Sequence, residues 1–306
     1  MRKYKIYEHK RKKGIQRTRC YLTGMFILIC ILSIYVVISI VSLLHKTTEY
    51  MDTYQINTQF IEPIPDEAGQ EIVSGKEDSV KTEEEKILEK LERFAEEHHF
   101  SVQAYPEEMI ELLEKNPETE GFVLNYPLKK DTYQVVELTE ALNQSEIPLF
   151  LQWDSRWGYY TYGGKVMGMT GCGPACLSMV ALHLLQNPQL TPFYVAEFSQ
   201  RNNFYVEGTG TAWSLMTQGA EELGLHAKEV SLDEDVVMRY LAQGRPIIAI
   251  MGKGDFTENG HFIVFVGIEE GKICVNDPNS RKRSEQLWCF EDIKDQIKNM
   301  WVYSVR

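Results

Sequence analysis

The sequence is poor in cysteine, has no phosphate-binding loop and carries little basic charge beyond its first twenty residues. Each shortage removes a class of function. Six cysteines in 306 residues are too few for an extracellular scaffold built on disulfides. Cys172 and Cys176 form a C-x3-C pair with no second Cys/His pair at ligand spacing, so no metal site is expected. Gly69 to Lys76 resembles a P-loop in passing, but its glycines stand one residue too far apart and Glu77 occupies the place of the required Ser or Thr. No nucleotide or other cofactor is expected, and no internal repeat is visible.

Charge is unevenly spread. Residues 1–20 hold nine Lys/Arg against Glu8 alone, which leaves 23 of the 32 basic and 43 of the 44 acidic residues to the remainder. A tail of about +8 thus precedes a body of about −20, which argues against nucleic acid as a partner of the body. Between them, Tyr21 to Leu44 has no charged residue and is rich in Ile, Leu and Val. As a helix it would be roughly 36 Å long, enough to cross a bilayer. The run exceeds a signal peptide's apolar core and no small-x-small cleavage site follows it. The expectation is a basic cytoplasmic tail (1–20), a transmembrane helix (21–44) and an external body.

From residue 45 to 82 the chain is polar, with Pro63, Pro65, Gly69 and Gly75, and reads as a flexible stalk. Residues 83–146 read as a helical accessory segment. Glu83 to His98 places Ile87, Leu88, Leu91, Phe94 and Ala95 on one helical face, and a second amphipathic helix follows Pro106 and ends near Asn116-Pro117. These helices are expected to pack on each other or on the body rather than to serve as a free arm. The main domain is expected from about Ile147 to the C-terminus.

Gly171-Cys172-Gly173-Pro174 opens a run, Ala175 to Leu185, that is apolar on every face. Pro174 suits a first helical turn, so a helix starts at Cys172 or just after it, and its all-round apolar surface makes it a core helix. The helix N-terminus favours a thiolate at Cys172. A lone cysteine is nevertheless more often a packing residue, so its partners decide. Pro246 to Met251 reads as a buried strand, and His261 to Gly267 with Lys272 to Asp277 reads as a β-hairpin around Glu269-Glu270-Gly271. Centred on Glu269, the hairpin sets His261 directly opposite Asp277 on one face, where a carboxylate orients an imidazole. Nucleophile, base and orienter are the set that thiol catalysis needs. Gln152 supplies a neutral side-chain donor for an oxyanion. Trp153, Trp157 and Trp213 are candidates for a substrate cleft, although large aromatics more often pack. Gly208 to Thr211 is expected to cap the helix that follows. Cys274 and Cys289 are a candidate pair if the compartment is oxidising, a question the sequence alone leaves open.

Gln152-Trp153-Asp154-x-x-Trp157, Gly171-Cys172-Gly173-Pro174, Gly260-His261-Phe262 and Asn276-Asp277-Pro278 together resemble the motifs of papain-like cysteine peptidases related to the double-glycine leader peptidases, over Ile147 to about Tyr303. The resemblance implies an α+β fold, with the thiol on a helix and His and Asp on an antiparallel sheet. It implies Cys172 rather than Cys176 as nucleophile, His261 as base, Asp277 as its orienter and Gln152 in the oxyanion hole, with no cofactor and a peptide or protein substrate. Gly171 stands where exporter-linked members have an acidic residue, and the gap from Gln152 to Cys172 holds an insertion, Tyr159 to Gly164, that reads as a hairpin. The extracellular branch of the family is therefore the better match. An acyl transferase using the same thiol and a non-catalytic peptide-binding module are the alternatives.

Overall fold

The computed structural model describes residues 82–142, 144–207 and 210–306, which fall within one compact unit, Asp78–Arg306. The expected tail, membrane helix and nearly all of the stalk lie outside the described residues. Within them, no helix is long and apolar enough to cross a membrane.

Thr82, placed by the sequence at the end of the stalk, is the N-cap of helix α1 (Glu83–Glu97). It forms a capping box with Glu85, each side chain accepting from the other's backbone N–H. Leu91 and Ala95 of α1 are buried as expected, but Leu88 lies at the edge of the apolar face and is 44% exposed. Helix α2 (Glu107–Lys115) begins after Pro106 and buries Met109 and Leu113. These residues share a core with Phe122, Val123 and Tyr126, and with Tyr159 and Val166 from beyond the expected domain boundary at 147. The helical segment is thus packed on the body by a core of its own. Extended backbone then carries the chain across the body, with Gln134 N–H donating to Arg156 O (2.8 Å) and Leu138 N–H to Pro188 O (3.0 Å).

The insertion before the thiol is the hairpin read from the sequence, β1 (Thr161–Tyr162) with β2 (Lys165–Val166). Helix α3 (Cys172–Leu185) follows, with Gly173 through Leu182 buried, and α4 (Pro192–Arg201) packs on it. Short strands β3 (Tyr205–Val206) and β4 (Gly210–Thr211) pair next. Thr211 is therefore a strand residue, not a cap: Ala212 holds the N-cap position of the turn Trp213–Met216, and no side chain caps it.

The remaining strands are β5 (Leu225–Glu229), then, after helix α5 (Glu234–Ala242), β6 (Ile247–Met251), β7 (His261–Glu269), β8 (Lys272–Asn276), β9 (Leu287–Trp288) and β10 (Ile297–Val305). They form one antiparallel sheet in the order β5-β10-β6-β7-β8-β9. Alternation divides its side chains between two cores. Ile248, Ile250, Phe262 and Val264 meet α3, and Ile247, Ala249, Ile263 and Phe265 meet α5. A helix apolar on all sides is stable here because sheet, α4 and the loops cover it, each buried Leu, Met or Val contributing about 1.5–3 kcal/mol.

The β7–β8 register differs from the expected one. Glu270 and Gly271, with φ of 50° and 72°, make the two-residue turn, so Glu269 faces Lys272 and Gly267 faces Cys274. Continued, that register would leave His261 and Asp277 on opposite faces. The ladder instead shifts by one residue at Val266, so that Phe265 faces Val275 and Val264 faces Asn276. Carried one residue past β8, this register returns Asp277 to the face of His261, as a diagonal neighbour rather than an opposed one.

The hairpin turn before the thiol gives a direct test of local packing. Gly163 and Gly164 both have positive φ, but a Cβ on Gly163 would fall 1.8 Å from the Tyr205 ring, whereas one on Gly164 would meet nothing. Gly164→Ala is expected to cost about 1 kcal/mol, and Gly163→Ala at least ~2 kcal/mol more, because the ring must move as well. Urea denaturation of the two variants checks the order.

Candidate active site

The site is built where α3 begins. Gly171 is its N-cap and contributes no side-chain bond, so Cys172 is the first helical residue, among backbone N–H groups that have no intrahelical acceptor. The backbone N–H groups of Gly173 and Phe262 help to hold its pKa down. Gly173 is needed because Thr211 presses against it: a Cβ there would lie 2.6 Å from Thr211 Cγ2.

His261 is the first residue of β7 and is buried, at 6% exposure. Its Nε2 lies 2.7 Å from Asp277 Oδ1, and its ring is near enough to the Cys172 thiol that each group shifts the other's pKa. With Nε2 held by the carboxylate, Nδ1 is the nitrogen left for sulfur. Cys172, His261 and Asp277 thus stand in series across the gap between helix and sheet, the last two joined by a hydrogen bond.

Asp277 has no exposed surface, and a carboxylate in that position requires partners. Oδ1 also accepts from Asn279 N–H (2.7 Å), and Oδ2 accepts from Arg283 Nε (2.5 Å). The turn is closed by Asp277 N–H donating to Ser284 Oγ (2.9 Å). Burial pushes the carboxyl up, but the charges and hydrogen bonds of His261 and Arg283 outweigh it, and its pKa is lowered. Burial likewise opposes protonation of His261, yet Asp277 and Cys172 raise its pKa to about 10. Burial raises the Cys172 thiol, and the His261 bond and charge with the two backbone donors reverse this, so its pKa falls below the ordinary value. Together the shifts favour a thiolate–imidazolium pair. Cys176, one turn deeper, is pushed well upward by burial and the nearby charges. Of the two cysteines, environment singles out Cys172.

Gln152 is buried, at 4% exposure. Its backbone N–H donates to Pro278 O (2.7 Å), and its Nε2 donates to Gly168 O (2.8 Å), just ahead of the thiol. Because a carbonyl only accepts, nitrogen must face Gly168, which fixes the amide's orientation. One N–H of Nε2 remains uncommitted.

The structure thus brings His261 to Asp277 and to the start of α3, and ties Gln152 to Gly168, ahead of the thiol, and to Pro278, next to Asp277. Several neighbours had not been expected. Arg283 on the back of Asp277 follows it by six residues, and its only sequence sign was the Ser280 cap of a short basic helix, Arg281–Ser284. Tyr162 is fully buried, its hydroxyl 2.8 Å from Ser199 Oγ and 3.0 Å from Thr211 Oγ1. Burial, with the Cys172 charge adding, lifts its pKa to about 12, so it stays neutral beside the thiolate. The inserted hairpin thus supports the loop that packs on Gly173.

The tryptophans divide. Trp157 has no exposed surface and donates to Leu151 O (2.8 Å), so it belongs to the core. Trp153 donates to Asn279 O (3.1 Å), and Trp213, 47% exposed, stands edge-on to Trp301. A cleft of about 370 Å3 between the helical segment and the body is walled by Phe122, Asn125, Trp153, Tyr159 and Arg281, without Cys172 or His261. Cys274 and Cys289 are both free thiols. Cys274 faces Leu287 in the ladder, which sets Cys289 two residues beyond pairing position. Among the described residues no cluster of His, Cys, Asp or Glu could hold a metal ion.

Residues 144–306 match the model of the Peptidase_C39 like family. Among solved structures, the chain is similar to the peptidase domain of Streptococcus ComA, a bi-functional ABC transporter involved in a quorum-sensing pathway. The two are 19% identical over 45% of this chain and 93% of that one, with a TM-score of 0.37. It is also similar to a C39-like peptidase from Bacillus anthracis, 14% identical over 56% of this chain and 98% of that one, with a TM-score of 0.35. No curated protein matched the sequence. With the family model matching more than half of its length, the chain belongs to the Peptidase_C39 like family.

Proposed function

We propose that the protein is a cysteine peptidase or amidase, with Cys172 as nucleophile, His261 as acid and base, Asp277 as the group that orients His261, and Gln152 in the oxyanion hole. The observation that carries this reading is the buried His261–Asp277 pair, Nε2 to Oδ1 2.7 Å, set beside the Cys172 thiol at the start of α3. The thiolate attacks the scissile carbonyl carbon, forming the C–S bond as the π electrons move onto oxygen. The second Nε2 N–H of Gln152 and the Cys172 backbone N–H stabilise that oxyanion. On collapse the C–N bond breaks, and the proton on His261 goes to the leaving amine. His261 then takes a proton from water as it attacks the thioester, and the acid product leaves with the thiolate restored. The uncharged run Tyr21 to Leu44 and the basic tail before it support anchoring in the cell membrane with this domain outside.

Alkylation tests the ion pair without a known substrate. The Cys172 thiolate forms below the ordinary thiol pKa and is accompanied by the imidazolium until pH passes the His261 value near 10. Iodoacetamide labelling of Cys172 should therefore rise at a lower pH than that of an ordinary thiol. In His261→Ala, only the backbone donors are left to oppose burial of the thiol. Labelling at pH 7 should fall by about 100-fold, equivalent to two pKa units. A wild-type profile that matches His261→Ala would remove the basis for catalysis.

A fluorogenic peptide library tests the reaction itself. Cys172→Ala should abolish hydrolysis, and Gln152→Ala should lower kcat by about 10²–10³-fold with little change in KM, since its bond strengthens only in the transition state. Incorporation of an added amine in place of water would mark an acyl transferase. Undiminished peptide binding by a wild type that cleaves nothing would mark a binding module.

A further inference from the structure

We infer that the helical segment ahead of the domain is part of the catalytic apparatus, with Asn116 and Glu118 as positioning residues for Asp277. The inference rests on the reading of Cys172, His261 and Asp277 given above. The chain leaving Asp277 runs through Pro278, Asn279 and Ser280 into the short helix Arg281–Ser284. This loop supplies two of the donors that hold the Asp277 carboxylate, Asn279 N–H and Arg283 Nε. Whatever fixes the loop therefore fixes the carboxylate and, through it, the imidazole.

The loop is held from 160 residues upstream. The Glu118 carboxylate accepts from Ser280 Oγ (2.5 Å), Arg281 N–H (2.8 Å) and Lys282 N–H (3.4 Å). These include the first two N–H groups of the short helix, which have no intrahelical acceptor. Ser280 in turn accepts from Arg283 N–H (3.1 Å), so the acid bonds the cap of the turn that aims Arg283. Beside it, Asn116 Nδ2 donates to Asn279 O (2.6 Å). Asn116 is itself buried, its Oδ1 accepting from Glu118 N–H (3.2 Å) and its carbonyl from Thr119 Oγ1 (2.7 Å). Two side chains of the segment thus grip the loop, Asn116 at Asn279 and Glu118 from Ser280 onward, with Asn116 oriented by Glu118 N–H.

Such an arrangement makes removal of the segment different from removal of an inhibitory arm. Without Glu118, the first turn of the short helix loses its acceptors and Arg283 loses its fixed approach. Asp277 then retains its burial but not its orientation, and the thiolate–imidazolium pair weakens.

The test is the pH profile of iodoacetamide labelling at Cys172, followed by peptide mapping in the full-length protein, for wild type and four variants. Glu118→Ala is expected to raise the apparent thiol pKa by about one unit, cutting the labelling rate below that pKa about tenfold. Glu118→Gln, which keeps shape and an acceptor oxygen, should fall between it and wild type, and it carries the test if the alanine variant does not fold. Lys165→Ala removes another tie between segment and body, the 2.7 Å pair with Glu108, and should leave the profile unchanged. His261→Ala sets the profile of a thiol without its partner. A perturbed wild-type profile that both Glu118 variants share would overturn the positioning role alone. An equal shift in Lys165→Ala would reduce Glu118 to general stability and overturn it too. A wild type already matching His261→Ala would overturn the catalytic reading and, with it, this inference.

Discussion

A carboxylate with no exposed surface is the constraint on which the site depends. Taking Asp277 out of water costs several kcal/mol unless its oxygens are fully paired. Every partner it has is also a structural commitment: His261 from one strand, Asn279 N–H from the turn, Arg283 from a short helix. Removing any one leaves charge buried without compensation. The fold therefore cannot relax the turn after β8 without exposing or protonating Asp277, and the same penalty keeps the imidazole in one orientation.

The nucleophile is fixed by a different force. Helix α3 is surrounded by apolar side chains from sheet and helices, so its axis is set by packing and its N-terminus comes to a defined place. Cys172 lies where that packed helix meets unsatisfied backbone donors, with Pro174 in the first turn and Gly173 allowing Thr211 to approach. Hydrophobic burial positions one side of the reaction and a buried ion pair the other. Neither alone would bring sulfur to the imidazole.

How far the sequence revealed this depends on the range of the interactions. The start of α3 was legible from Pro174, α1 and α2 from their periodicity, and β6 from its apolar run, because each signal is local. The partnership of His261 and Asp277 was also legible, though by the wrong geometry. Centring the turn on Glu269 gives an opposed pair, whereas the turn is at Glu270-Gly271 and a bulge at Val266 restores the shared face. Two shifts in register compensated, and nothing local announces a bulge in His261 to Gly267. Leu88 on the rim of its helix and Thr211 in a strand were misjudged because tertiary neighbours decide burial and capping. Arg283 and Glu118 were invisible for the same reason: an exposed-looking Arg-Lys-Arg run and one acid among many gain meaning only when the fold brings them to Asp277.

These two forces also explain why the helical segment is packed onto the domain that follows it. The core that holds α1 and α2 includes Tyr159 and Val166 from the inserted hairpin. That hairpin reaches the thiol through Tyr162 and Thr211. On the other side, Glu118 and Asn116 reach Asp277 through the loop after β8. The segment therefore meets both halves of the site, one through apolar contact and one through hydrogen bonds. In a chain whose nucleophile and base sit on separate elements, a brace that touches both fixes their separation. That gives a physical reason for the helical segment to be folded onto the body instead of trailing from it.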